Sequence, residues 1–160
     1  MVDQQKQNSS SVYPYCLCAT VAEKALKNLL EAHGHGSYRV SDPWLVGREM
    51  LEDAQRANQS LPLLLASGTP LTFTHWSHVV SIEVVELHKG AFESACEIDQ
   101  PQPVNPIFAP IDSLMLKPGD DQLRREVLEG IRQHRQELTA AHLHPYAICE
   151  TPGFLLEPDH

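Results

Sequence analysis

The sequence predicts an α+β fold: a small, curved, mostly antiparallel sheet or partly closed barrel, with about three flanking helices. The segment from Leu61 to Leu87 is rich in β-branched and large apolar residues, as strands are. Segments with helical spacing of apolar residues lie on both sides of it. The strands predicted after it are joined by short turns. Helices segregated from hairpin-linked strands are typical of α+β proteins.

Length and composition predict one folded domain. The chain has 160 residues, of which 42% are hydrophobic and 21% are charged, which is ordinary for a globular protein. A chain of this length can bury a sizeable core. We expect a disordered polar leader over residues 1–15, a single α+β domain over 16–150 and a flexible tail over 151–160.

The net charge and the cysteines indicate which partners the protein can bind and in which cellular compartment we expect it. Twelve Lys and Arg against twenty-one Asp and Glu give a net charge of −9, which argues against a general nucleic-acid binder. No apolar run reaches the roughly 20 residues that cross a bilayer, and the polar N-terminus lacks a signal-peptide core. We therefore expect a cytoplasmic protein without membrane contact, whose cysteines are free thiols. The cysteines are Cys16, Cys18, Cys96 and Cys149.

Two helices are predicted before the central strands. The first covers Ala19–His33, with Thr20 and Glu23 as a capping box and Gly34 as a left-handed C-cap residue. The second starts at Asp42-Pro43, with Asp42 as N-cap, and ends near Asn58. Its predicted buried residues are Trp44, Leu45, Met50, Leu51 and Ala54.

The central segment predicts two strands. Leu61–Ala66 is a continuous apolar run, which is typical of a strand covered on both faces. Ser67–Pro70 predicts a turn, and Leu71–Phe73 is either a short strand or part of the connection. Ser77–Leu87 is the clearest strand. Its alternation places Val80, Ile82 and Val84 on one face, and Val79, Val85 and Leu87 on the other.

The remaining elements follow from turn residues and spacing. Lys89-Gly90 predicts a hairpin that leads into a strand over Phe92–Ile98. The proline-rich segment Gln100–Pro106 is predicted to be a loop. A third helix is predicted over Gln122–Ala141. Further short strands are predicted at Leu114–Leu116 and Tyr146–Cys149, and the third helix carries an apolar stripe of Leu123, Val127, Ile131 and Leu138.

The tetrad His75-Trp76-Ser77-His78 is the main candidate ligand site. It lies where the chain is predicted to enter the main strand, a position where polar side chains can line the mouth of a cleft. A Trp flanked by His and Ser can stack on a planar ligand and hydrogen-bond its edge. The alternative is that Trp76 packs in the core while both histidines are solvated.

Two further clusters are candidate sites. One is the only dense basic group and is the best available anion patch, although neighbouring acids favour a solvated mixed face. It consists of Arg124, Arg125, Arg132 and Arg135. The other combines Cys16 and Cys18 with His33 and His35. One residue between the cysteines is too few for a zinc knuckle, so we predict no metal site.

The order of elements in the second half of the chain is similar to that of a known family. The elements are the tract LPLLLASGTPLTFTHWSHVVSIEVVEL, the hairpin after it, Phe108–Leu116 and the late helix and strand. Together they resemble the PUA-like superfamily, which includes the EVE and ASCH domains. The resemblance covers Leu61–Cys149. It implies a partly closed sheet with helices at its ends, and an aromatic-lined pocket for nucleic acids or single modified bases. It would place His75, Trp76 and His78 at the mouth of that pocket.

Three functional hypotheses follow. The first is a non-enzymatic binding module that recognises a nucleotide-like ligand, a modified base or nucleic acid through a local site. The second is an accessory or immunity-type protein that acts through a protein partner. The third is a small hydrolase that uses His75 and His78, which would need a carboxylate or thiol within hydrogen-bond reach. No cofactor is predicted, and the sequence leaves the oligomeric state open.

Overall fold

The computed structural model describes residues 11–156 and confirms the α+β prediction. Within these residues, seven strands form one mixed sheet that is not closed into a barrel, and four helices accompany it. The strands are β1 Tyr15–Thr20, β2 Gly36–Val40, β3 Leu61–Ser67, β4 Thr72–His88, β5 Ala91–Ile98, β6 Gln102–Pro103 and β7 Ala147–Glu150. The helices are α1 Glu23–Glu31, α2 Leu45–Arg56, α3 Asp120–Glu129 and α4 Gly153–Leu156.

The strand order across the sheet is β2-β5-β4-β3-β1-β7, and β6 pairs separately with β4. The β1–β3 pair is parallel, and the other pairs between these strands are antiparallel. The parallel pair needs a long crossover, which α1, β2 and α2 supply. The hairpin at Lys89-Gly90 is confirmed, with Gly90 at φ 78° between β4 and β5.

The central strand β3 is buried on both faces, as predicted for Leu61–Ala66. Leu61, Leu63 and Leu65 pack with α1 and α2, and we call this side the helix face. Leu64 and Ala66 point to the opposite side, which we call the C-terminal face. Its cover comes from the chain after β6, through buried side chains that include Leu114, Leu138, Leu143 and Leu155.

Strand β4 begins at Thr72, earlier than predicted, and has an irregular register. The pairing with β5 shifts between Val79 and Ser81, so the alternation changes phase at a β-bulge. As a result Val79 and Ile82 both lie in the core of the helix face. The predicted division of Val79 and Ile82 between opposite faces was therefore wrong.

The first helix is shorter than predicted, because Ala19 and Thr20, predicted at its N-terminus, belong to strand β1. Thr20 is the last residue of β1 and lies opposite Ala66 of β3, so it does not cap a helix. The N-cap is Ala22, which forms no side-chain capping bond. Sheet pairing on both sides of β1 overrides the local capping signal. Gly34 does adopt the expected left-handed conformation, with φ 86°.

The second helix begins at Leu45, with Trp44 and not Asp42 as its N-cap. Ser94 of β5 explains the shift: its hydroxyl accepts the N–H of Trp44 at 2.9 Å and donates to the carbonyl of Asp42. This contact holds the backbone before the helix against the sheet. Leu45 is 47% exposed, so its predicted burial was wrong, whereas Trp44, Met50, Leu51 and Ala54 are buried.

The third helix ends at Glu129, because Gly130 adopts a left-handed conformation with φ 72°. The predicted apolar stripe was wrong: Val127 is 81% exposed and Ile131 is 62% exposed. Leu138 is fully buried, but it lies beyond the helix, and its N–H donates to the carbonyl of Leu114 at 3.0 Å. The short pairing predicted near Leu114–Leu116 exists as isolated bridges from Met115 and Leu116.

Both ends of the described chain are attached to the domain. In the predicted leader, Val12 forms a bridge with Ser60. In the predicted tail, Thr151 donates its N–H to Pro14 at 2.9 Å, and Leu155 of α4 is buried. Residues 1–10 and 157–160 lie outside the described residues. None of the helices within residues 11–156 is both long and apolar enough to span a bilayer.

Candidate functional site

The predicted tetrad lies in the first half of β4, and alternation along the strand divides it between the two faces of the sheet. Ser77 lies opposite Leu63, and His75 lies opposite Leu65, so both belong to the helix face. Trp76 lies opposite Leu64 and packs on the C-terminal face. The structure therefore brings Trp76 and His78 together and separates them from His75 and Ser77.

Trp76 belongs to a row of partly exposed rings at the edge of the C-terminal face. Its ring meets that of His78 edge-on, with centroids 5.0 Å apart, and lies 6.4 Å from that of Phe154. Phe154 stacks at 5.1 Å on Phe108 with a tilt of 32°. We call Trp76, His78, Phe108 and Phe154 the aromatic surface.

Three segments build the aromatic surface. Trp76 and His78 stand on β4, where β3 pairs on one side and β6 holds Trp76 on the other, so the backbone of Trp76 is fixed by pairing. Phe154 comes from α4, and Phe108 from a 3₁₀ turn over Pro106–Phe108. Gln102 of β6 is the cross-strand partner of Trp76, and its side chain is exposed.

His78 is electrically neutral at this surface. Burial lowers the pKa of its imidazole, and the nearby carboxylate of Asp99 only partly opposes that effect. Its Nδ1 atom is buried and has no hydrogen-bond partner within residues 11–156. A buried polar atom without a partner is uncommon in folded proteins, and such atoms often lie where water or a ligand belongs.

His75 and Ser77 make local contacts on the helix face. His75 Nδ1 lies 3.0 Å from the hydroxyl of Thr74, and burial lowers the pKa of His75. Ser77 is almost fully buried and donates its hydroxyl to the carbonyl of Asp99 at 2.7 Å. That bond ties the turn after β5 to β4.

The four predicted arginines are in different environments. Arg135 is buried and bridges two carboxylates, with Nη2 2.9 Å from Glu126 Oε1 and Nε 2.8 Å from Glu150 Oε2. Arg132 also pairs with Glu150, at 2.9 Å. Arg124 and Arg125 lie exposed on α3. Two members of the predicted anion patch are therefore held by carboxylates, and two face solvent.

The arginine contacts change the acidity of both carboxylates. Hydrogen bonds from Arg135, then from Gln122, lower the pKa of Glu126 to about 2. Burial acts to raise the pKa of Glu150, but hydrogen bonds from Arg135 and Arg132 outweigh it, and the net shift is downward. The bonds to Glu126 and Glu150 raise the pKa of Arg135. This network joins α3 to β7.

A cleft of about 560 Å³ lies at the C-terminal end of β1 and was not predicted from the sequence. Its walls combine the start of α1, the end of β2 and the residues around His144. Tyr38 lines it and donates its hydroxyl to the carbonyl of Thr20. No member of the predicted tetrad lines this cleft.

The four cysteines are free and buried, as predicted for free thiols. Cys16 and Cys18 point to the C-terminal face, with their sulfurs 3.9 Å apart. Burial, with contacts to Cys149 and Cys16, raises the pKa of Cys18. Across residues 11–156, no three His, Cys, Asp or Glu side chains are arranged to hold a metal ion.

Comparisons of the chain with protein-family models, with curated proteins and with solved structures found no match.

Proposed function

We propose that this protein is a non-enzymatic binding module that takes a flat, base-like ring against the aromatic surface. The observation that carries the proposal is the partly exposed ring of Trp76, flanked by His78 and Phe154 on a strand fixed from both sides. Aromatic side chains stack on bases with about 1–3 kcal/mol per base. A ring that is fixed before binding loses little conformational entropy on binding.

The charge of the chain favours a small ligand. A net charge of −9 opposes the long phosphate backbone of a nucleic acid, whereas a single base brings little charge with it. The resemblance to the PUA-like superfamily, which remains a proposal, implies the same class of ligand. A role in the cytoplasm, proposed from the sequence, is compatible with small base-like ligands.

The test compares two substitutions of Trp76 with one control. Trp76→Ala should abolish the rise in melting temperature that nucleosides produce in the wild type, while the unliganded protein stays folded. Trp76→Phe should keep part of the rise, because phenylalanine also stacks. Leu87→Ala removes an exposed apolar side chain at the far end of the same strand and should leave binding unchanged.

Two results would contradict the proposal. One is that no base, nucleoside or nucleotide raises the melting temperature of the wild type. The other is that Trp76→Ala unfolds the protein while Trp76→Phe preserves the fold but not the binding, which would make Trp76 a core residue.

A second candidate is contact with another protein through α3. No residue of α3 is buried, and Val127, Leu128 and Ile131 are 81%, 73% and 62% exposed. The occupant we propose is a second copy of this chain, because α3 carries exposed carboxylates, such as Asp121 and Glu129, as well as the exposed Arg124 and Arg125, and two copies can pair these opposite charges. Sedimentation velocity should then show a dimer that Leu128→Asp dissociates; a monomer at all concentrations would exclude it.

The hydrolase hypothesis has no geometric support. It required a carboxylate or thiol within hydrogen-bond reach of His75 or His78. The side-chain group that contacts His75 Nδ1 is the hydroxyl of Thr74. The carboxylate of Asp99 acts on His78 electrostatically, but in the described part of the chain no side-chain hydrogen bond joins these two residues, and His78 Nδ1 has no partner.

A further inference from the structure

We infer that the aromatic surface selects an uncharged heterocycle, a free base or nucleoside, and that Gln102 reads the hydrogen-bonding edge of that ring. The inference rests on the proposed function and specifies its ligand. It makes two separate claims: the phosphate of a nucleotide adds nothing to binding, and the Gln102 amide contributes specificity.

The charges around Trp76 favour an uncharged ligand. In the described part of the chain, Leu64 and Gln102 are the cross-strand partners of Trp76, and its ring meets those of His78 and Phe154. None of them is a cation at neutral pH, because His78 is neutral. The carboxylate of Asp99 acts on His78, and it lies 3.0 Å from the ring of His35. A carboxylate repels a phosphate, and these neighbours of Trp76 include no Arg or Lys to hold one.

The position of Gln102 places its amide beside the proposed ligand. Gln102 and Trp76 are directly opposite across β6 and β4, so their side chains lie on the same side of the sheet. The Cβ atoms of such a pair are about 4.5–5.5 Å apart. A ring that stacks on Trp76 would therefore have its edge within reach of the Gln102 amide.

The Gln102 amide is free to exchange partners. Its Nε2 makes one long hydrogen bond, 3.4 Å, to the carbonyl of Gln100, and its side chain is exposed. A glutamine amide presents a donor beside an acceptor, which matches the adjacent donor and acceptor of a base edge. The neighbouring amide of Asn105 differs, because its Oδ1 already accepts the N–H of Ile107 at 3.0 Å.

Calorimetric titration of the full chain tests both claims. The probes are adenosine, guanosine, cytidine and uridine, each with its 5′-monophosphate, at 20 and 200 mM salt. We expect at least one nucleoside to bind, its monophosphate to bind no tighter, and the nucleoside affinity to change less than twofold with salt. Gln102→Leu keeps the approximate size of the side chain and should weaken binding about tenfold, whereas the control Gln55→Leu, at an exposed glutamine of α2, should not.

A monophosphate that binds more than fivefold tighter than its nucleoside, with an affinity that falls as salt rises, overturns the uncharged ligand. Full affinity in Gln102→Leu overturns the role of the amide. If those results occur while Trp76→Ala still abolishes binding, the proposed function stands and this inference fails. If no probe binds, or Trp76→Ala binds normally, both fail together.

Discussion

Both faces of the sheet are buried, but different kinds of structure cover them. The helix face is sealed by α1 and α2, whose apolar residues recur at helical spacing. The C-terminal face is sealed by turns and extended segments that contribute single residues such as Leu114, Leu138 and Leu143. The comparison shows that a sheet face can be buried by irregular segments as well as by amphipathic helices with regularly spaced apolar residues.

The irregular cover also has a functional consequence. A helix packed along β4 would bury a ring such as Trp76, just as Trp44, at the start of α2, is buried on the other face. The turns over the C-terminal face instead leave Trp76, Phe108 and Phe154 partly exposed at its edge. The proposed site thus lies where the less regular cover ends.

The largest expected effect comes from neighbouring residues of β3 that point to opposite faces. Leu64 and Leu65 are both fully buried. We expect Leu64→Ala and Leu65→Ala each to lower the free energy of unfolding by about 2–5 kcal/mol, because each leaves a cavity in a packed core. Urea denaturation measures both. A loss below about 1 kcal/mol for Leu64→Ala alone would show that the C-terminal face is only loosely packed.

The network that joins α3 to β7 should give a pH-dependent loss of stability. Arg135→Gln should lower the urea midpoint at pH 7 more than the control Arg124→Gln, because it leaves the carboxylates of Glu126 and Glu150 without their shared partner. The folded pKa of Glu126, about 2, lies below its ordinary value of 4.5. The stabilisation is therefore complete above pH 4.5 and is lost as the pH falls toward 2.

The corresponding measurement is urea denaturation of both variants from pH 7 to pH 2. The difference in urea midpoint between the wild type and Arg135→Gln should become smaller below pH 4.5, where Glu126 becomes protonated in the unfolded chain. A difference that stays constant over that range would mean that Arg135 acts through packing and not through the carboxylates.

Substitution of the glycines that flank α3 should have a smaller effect on stability. Gly130 has φ 72°, and no atom lies within 4 Å of the place that an alanine methyl group would take, so Gly130→Ala adds only backbone strain. That strain costs about 1–2 kcal/mol. Gly119 is equally open, but its φ is −67°, which any residue adopts, so Gly119→Ala should be neutral or slightly stabilising. Equal thermal denaturation midpoints for both variants would contradict the left-handed end of α3.

The smallest effect is expected on the outward side of α3. Val127 is 81% exposed, so Val127→Ser should change the free energy of unfolding by no more than about 0.5 kcal/mol. Urea denaturation at low protein concentration measures it. A loss of about 2 kcal/mol would mean that Val127 is covered, either within the chain or by a second copy.

The helix face could be predicted from the sequence better than the C-terminal face. Apolar runs and hairpin residues identified β3 and the turn at Gly90, because those signals are local. The capping signal at Thr20 failed because β1 pairs with distant strands on both sides. Leu138 was assigned to a helix because apolar spacing alone does not reveal that Gly130 ends it.

The candidate site was predictable only in part. The sequence identified Trp76 and His78, and strict alternation along a strand could already have separated them from His75 and Ser77. Phe108 and Phe154 were missed, because the contact of Phe154 with Trp76 and that of Phe108 with Phe154 arise from folding of segments far apart in the chain. The cleft near Tyr38 was missed for the same reason.

The proposed site is tested most directly by the indole N–H resonances of the two tryptophans. The chain contains only Trp44, which is fully buried, and Trp76, which is partly exposed. In a ¹H–¹⁵N spectrum, with Trp76→Phe to assign the resonances, addition of the nucleosides named above should shift the Trp76 signal and leave that of Trp44 in place. Ligand binding that shifts Trp44 alone, or no shift of Trp76 with any of them, would contradict the account.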